Sequence, residues 1–232
     1  MTALFFYGSL RHVPLLEIVL GRPASDIALQ SASLPGYATM SVKEGSFPCI
    51  VEDKDASASG IVVDALTPQD IARLDFYEGS FAFDLREVTL ADGQKALVYF
   101  PQEGLWQTDG FWSLEAWQRD WGELSCHAAR ELMDYLGRYS AAQVARMFPM
   151  IRSRAAAKVN AAHALHGAGT YRGRVEVGQI DRVYTNYFAL NEYKIRHERF
   201  DGSMTDTLER AVFVATDAAL VLPYDPVRDR VM

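Results

Sequence analysis

"GIVVDALTPQDIARLDFYEGS", residues 60–80, contains the change of period that decides the fold class. Its first seven residues form an apolar run suited to a buried strand. From Pro68 onward Ile71 and Leu74 share one helical face, with Pro68 near the start and Gly79 as the stop signal. A strand handing over to a helix in so short a stretch predicts an α+β arrangement. Asp75 and Glu78 then crowd the last helical turn, where the helix dipole is negative and Lys or Arg would be favoured. Standing three apart they share a face. Like charge, the dipole and the aromatic neighbours Phe76, Tyr77, Phe81 and Phe83 would all raise the proton affinity of Glu78. A carboxylate at ~4.3 takes a proton from an α-ammonium at ~8 at a cost of about 5 kcal/mol; at ~6.5 the cost falls to about 2 kcal/mol. Glu78 is either such a shuttle or a surface residue in a poor position, and sequence physics alone favours the surface reading.

Working outward, "ALFFYG" at residues 3–8 reads as a short buried strand ending in a Gly-Ser turn, with a helix over 13–20 stopped by Gly21. Gly8 lets backbone approach a ligand, and successive N–H groups between a strand end and a helix can hold an anion or oxyanion. Strands are expected around 32–42, 47–52 and 60–66, and "DLREVTLADGQKALVYFP" predicts a hairpin turning at Asp92-Gly93. From about 113 to 162 the pattern is helical, with Leu124, Ala128, Leu132 and Leu136 in an i, i+4 stripe and Pro149 expected to kink or divide a second helix. Residues 140–175 carry Arg146, Arg152, Arg154, Lys158, Arg172 and Arg174 and no acid. That run could face phosphate but reads more simply as a solvated basic face. "AAHALHGAGTYRGR" looks like a linker. The text beyond it alternates again, with turns at Asp201-Gly202 and Asp225-Pro226, as in an antiparallel meander.

The chain has 232 residues, a net charge of −7 and 49% apolar residues, an ordinary profile for a soluble globular protein. Its acidity argues against wholesale nucleic-acid binding, and no apolar run reaches the ~18 residues of a membrane span. "MTALFFYGSLRH" has no basic n-region, so no signal peptide is expected, and the location is expected to be cytoplasmic. Cys49 and Cys126 are read as free thiols, Cys49 as a core strand residue rather than a nucleophile. His163 and His166 stand three apart without a third ligand, so no metal site is expected there.

Taken in order, "FFYGSLR", "LPGY", "FPCIV", "ASGIVVDALTPQDIARLDFYEG" and "KALVYFP" resemble the γ-glutamylcyclotransferase-like, AIG2-type family over residues 3 to about 105. The resemblance implies a mixed α/β barrel-like fold with one cavity. It also implies that Tyr7, Gly8, Ser9 and Leu10 cradle the substrate's polar groups through backbone amides, and that Glu78 is the catalytic acid/base. The implied reaction is intramolecular aminolysis: the α-amine of a γ-glutamyl compound attacks its own γ-carbonyl, giving 5-oxoproline and a released amine or amino acid. No metal or cofactor is implied for this domain. The family usually places a Tyr just after the Glu-Gly pair; Phe81 and Phe83 stand here instead, so one polar substrate contact is expected to be missing.

A second resemblance, over residues 183–229, is to the N-terminal sub-domain of ADP-ribose pyrophosphatases of the Nudix class, carried by "RHERFDGSM" and "LPYDPVRD". It implies that an aromatic at Tyr187 stacks on adenine and that Arg210 reaches nucleotide phosphates, with packing of a sheet as the alternative. The Nudix box, whose glutamates would hold Mg²⁺, does not follow Asp229. Mg²⁺ and an ADP-ribose-like nucleotide are therefore expected only where that part is present. The expectation is either a truncated product or a remnant for association, pairing as a homodimer through the C-terminal β segment. Two-domain chains of this arrangement also resemble tellurite-resistance factors. The expected organisation is a γ-glutamylcyclotransferase-like domain at 1–121, a helical extension at 122–162, a linker at 163–173 and a partial Nudix sub-domain at 174–232. Three functions are in view: a cyclotransferase acting through Glu78, a Nudix hydrolase with an accessory N-terminal module, and a non-catalytic association module.

Overall fold

The computed structural model describes residues 3–79, 83–102, 104–165, 173–218 and 221–231. Phe81, His166 and most of the expected linker lie outside the described residues. The chain divides into two compact units, Met1–Ala155 and Ala156–Met232.

In the first unit a six-stranded mixed sheet comprises β1 (Leu4–Phe6), β2 (Ala28–Val42), β3 (Pro48–Asp64), β4 (Phe83–Thr89), β5 (Lys95–Pro101) and β6 (Thr108–Phe111). Their order is β4-β5-β1-β3-β2-β6, and β1 runs parallel to β5 while the other neighbours are antiparallel. The hairpin expected at Asp92-Gly93 joins β4 to β5, with Gly93 at φ 86°.

Two strands were expected where β3 is one. The polar text "EDKDASAS" has the composition of a turn, yet it stays in the ladder: Glu52 pairs with Tyr37 and Ser57 with Pro35. Residues 53–56 stand opposite Gly36 alone, and such a bulge sharpens strand bending. The consequence is a curled sheet. Ala3, Phe5, Leu34, Ile50, Val62, Leu90 and Val98 form a buried cluster made almost wholly of strand residues, which is possible only if the sheet folds over it. No ladder joins β4 to β6 among the described residues, so the expected barrel is an open, curled sheet.

The other face of the sheet carries helices. α1 (Val13–Leu20), α2 (Pro68–Glu78), α3 (Leu114–Trp117), a π-helical turn at Gln118–Gly122, α4 (Glu123–Met133) and α5 (Ala141–Leu165) follow in chain order. Leu15, Leu16, Leu74, Ala128, Leu132, Val144 and Ile151 from four of these helices share one cluster with Leu4 and Phe6. α1 ends at Gly21 (φ 71°), and Arg73 of α2 donates to the Val19 carbonyl at 2.7 Å, a cation at the negative end of the helix dipole. Pro149 does not divide the second long helix; α5 runs through it.

The basic run is not a solvated face throughout. Arg154 is fully buried and donates Nε–H to Glu131 Oε1 at 3.0 Å, and Tyr135 donates its hydroxyl to the same oxygen at 3.2 Å. Helical spacing puts Arg154 beside the buried Ile151 and Ala155, so the residue that reads as charged surface sits in the core. Only a buried acid on α4 makes that tolerable.

The second unit contains the three-stranded antiparallel meander β7 (Val175–Thr185), β8 (Ala189–His197) and β9 (Leu208–Val214), and a short pairing of β10 (Tyr224–Asp225) with β11 (Arg230–Val231).

Candidate active site

β1 delivers Tyr7 and then bends at Gly8 into a 3-10 turn, Ser9–Arg11, that leads to α1. A Cβ on Gly8 would stand 2.8 Å from Pro48 Cγ, so only glycine lets this bend pack against the start of β3. Inside the turn the Arg11 N–H donates to the Gly8 carbonyl and the His12 N–H to that of Ser9. The Ser9 and Leu10 N–H groups have no backbone acceptor among the described residues.

α2 brings Glu78. Its start is fixed by a capping box: the Asp70 N–H donates to Thr67 Oγ1 at 3.1 Å, and the Thr67 N–H donates to Asp70 Oδ2 at 2.8 Å. Arg22 donates to both Asp70 oxygens. Burial pushes the Asp70 carboxyl up, but the Thr67 hydrogen bonds and the Arg22 charge outweigh it and hold the group below the ordinary range. Buried Leu74, Phe76 and Tyr77 then pin the last turn. Gly79 follows in a right-handed conformation (φ −60°, ψ −15°), so the stop does not use glycine's left-handed freedom.

These elements bring Tyr7, Gly8, Ser9, Leu10 and Glu78 to the wall of one cavity, together with Tyr77, Phe83, Tyr99, Trp117, Ser125, Phe148 and Arg152. Burial pushes the Glu78 carboxyl from 4.5 up to about 8. Glu78 keeps some accessible surface and lines the cavity wall. Among the described residues no donor reaches its carboxyl, which leaves desolvation unopposed. The contribution expected from Asp75 is absent: Asp75 is exposed and accepts the Tyr99 hydroxyl at 3.0 Å. The two side chains share a helix but not an environment.

Three phenols surround the acid. Burial, then the negative charge of Glu78, pushes Tyr7, Tyr77 and Tyr99 upward, so all three remain protonated donors at neutral pH. Tyr7 donates to the Tyr99 carbonyl at 3.0 Å, tying the loop to β5. Tyr99, Tyr77 and Arg152 were not singled out as site residues by the sequence, although Arg152 belongs to the basic run noted there.

The remaining expected sites fall elsewhere. Cys49 and Cys126 are buried free thiols, and burial pushes both upward. Among the described residues no group of three or more His, Cys, Asp or Glu side chains could hold a metal ion, and no helix is long and apolar enough to cross a membrane. In the second unit Tyr187 stacks edge-on with Phe188 at 4.8 Å, while Arg210 pairs with Tyr193 across the ladder.

The family model described as gamma-glutamyl cyclotransferase, AIG2-like, matches residues 4–119, half of the chain. The chain belongs to this family. AIG2-like protein B of Arabidopsis thaliana is 25% identical over 136 residues, covering 56% of this chain and 77% of that protein. An ADP-ribose pyrophosphatase of Escherichia coli K12 is 40% identical over 58 residues, covering 25% of this chain and 28% of that enzyme. The chain thus spans little more than a quarter of the pyrophosphatase's length. A solution structure from Arabidopsis thaliana aligns at a TM-score of 0.41 with 22% identity, covering 60% of this chain and 94% of that one. In this AIG2-like chain the loop residues and Glu78 lie within the matched segment. Ser125, Phe148 and Arg152, which complete the cavity wall, come from α4 and α5 beyond it.

Proposed function

We propose that the first unit is a γ-glutamyl cyclotransferase that releases 5-oxoproline, with Glu78 as its acid and base. The observation that carries this reading is a buried carboxyl at about 8, in one cavity with the Tyr7–Leu10 loop. An α-ammonium group titrates near ~8, so proton exchange with Glu78 is close to isoenergetic, where an ordinary glutamate would face about 5 kcal/mol. At neutral pH Glu78 is mostly protonated. The ionised fraction, about a tenth at one unit below its pKa, does the abstraction.

In the proposed step the α-amine nitrogen attacks the γ-carbonyl carbon. The bond to the leaving nitrogen breaks, and the two protons shed by the former ammonium end on the departing amine, with Glu78 accepting and returning protons. The loop N–H groups of Ser9 and Leu10 face the developing oxyanion. Ring closure is unimolecular, so the cavity need only select the folded conformer. The step requires neither metal nor cofactor.

Glu78→Gln keeps the size and removes the titration. Release of 5-oxoproline from γ-glutamyl compounds should fall by at least about a hundredfold with the fold retained. Absence of turnover by the wild type across a broad γ-glutamyl panel would refute the reading. The 58 residues aligned at 40% identity with a pyrophosphatase support a second role, ADP-ribose-type chemistry where a Mg²⁺-binding Nudix part is present, and the exposed apolar residues of β7 support association of the C-terminal β segment with a second copy.

A further inference from the structure

The cavity contains a cation that has no carboxylate partner among the described residues. Arg152 of α5 is half-buried, its guanidinium 5.4 Å from the centre of the Trp121 ring, and it has no hydrogen-bond acceptor or carboxylate among the described residues. Glu78 shares the cavity, and no ion pair joins the two. The Trp121 ring covers one side of the guanidinium and Tyr77 lies within its field, but neither offers the planar pair of acceptors that its N–H groups match.

Its position says which part of a ligand it meets. Arg152, Ser46, Phe47 and Phe148 line both the cavity and a wider, more open cleft that also contains Lys43 and Trp106, so they stand where the two meet. The γ-glutamyl end must reach inward to Glu78 and the Gly8 loop, which leaves the departing group at this mouth. Two further polar groups there, the Ser46 hydroxyl and the Trp106 indole N–H, are buried without a partner. The mouth is therefore rich in donors, and its acid, Glu44, is already engaged by the Gln107 N–H.

We propose that Arg152 binds a carboxylate on the departing half of the substrate, so that the substrate class is γ-glutamyl amino acids or peptides rather than γ-glutamyl amines. Planar guanidinium matches carboxylate with two parallel hydrogen bonds. The inference rests on the cyclotransferase reading for its orientation, and it assigns specificity to a helix outside the family-matched segment.

The test uses a matched pair, γ-glutamyl-alanine and γ-glutamyl-alanine amide, which differ only in the distal charge. In the wild type kcat/KM should favour the acid by about 10- to 100-fold. In Arg152→Gln that ratio should fall to about one, and Arg152→Lys should retain part of it. An unchanged ratio, or equal loss on both substrates as expected if Arg152 met the α-carboxylate or only supported the fold, overturns the proposal. Calorimetry with Glu78→Gln and Glu78→Gln/Arg152→Gln separates this from the reaction itself. An acid-over-amide difference in Kd that vanishes with Arg152 sustains the assignment even if the wild type turns over neither compound. No such difference overturns it.

Discussion

The two units use similar strand text to different ends. In the first, β1 and β3 bury Leu4, Phe5, Val62 and Val63 completely because helices cover one face and the curled sheet covers the other. In the second, β7 exposes Val175, Val177, Ile180, Val183 and Tyr184. Glu176 and Val177, consecutive in a regular stretch of the ladder, point to opposite faces and both are exposed, so neither face of that strand is covered there. Among the described residues of the second unit only Ala189, Asn191 and Thr205 are buried. Alternation makes a strand; a second layer makes a core. A chemically perturbed acid such as Glu78 is confined to the unit that can exclude water.

Four measurements probe that contrast. The largest effect is expected at the buried pair: Arg154→Met strands Glu131 in the core and should cost about 3–5 kcal/mol in chemical denaturation, whereas Glu131→Leu/Arg154→Met should recover most of it. Next comes the pH dependence. Glu78 titrates at about 8 in the folded chain against an ordinary 4.5. Below 4.5 both states are protonated and no penalty arises; as pH rises from 4.5 to 8 only the unfolded state ionises freely. The Tm of wild type relative to Glu78→Gln should fall across that window and level above it. A flat difference would mean that Glu78 is solvated. Smaller still, Thr67→Ala removes a cap and should cost about 1 kcal/mol. At the bottom, Val177→Thr on the uncovered sheet should stay within about 0.5 kcal/mol. If that substitution cost as much as a core change, the claimed difference between the units would be wrong.

Much of this was legible along the chain, for reasons that are local. The strand at β1, the ends of α1 and α2 and the hairpin at Asp92-Gly93 depend on period, glycine and proline, which act over a few residues. The "TPQD" capping box is equally local, a Thr followed three residues later by an acid. What misled was also local. The polar stretch 52–59 resembles a turn, but its conformation is set by thirteen paired positions of β2 and β3 rather than by its own composition. Gly79 looks like a left-handed stop and is not one.

The α+β plan was readable from the chain because it rests on period and on glycine and proline at fixed places, whereas the candidacy of Tyr7, Gly8, Ser9, Leu10 and Glu78 came from the ordered motifs that resemble the family. Tertiary structure decided which charges leave water. Asp75 and Glu78 differ by three positions, Arg152 and Arg154 by two, yet one of each pair was fixed by what packs around it: desolvation for Glu78, an acid from α4 for Arg154. The dielectric around a side chain is a property of neighbours distant in sequence, and no spacing within a helix encodes it.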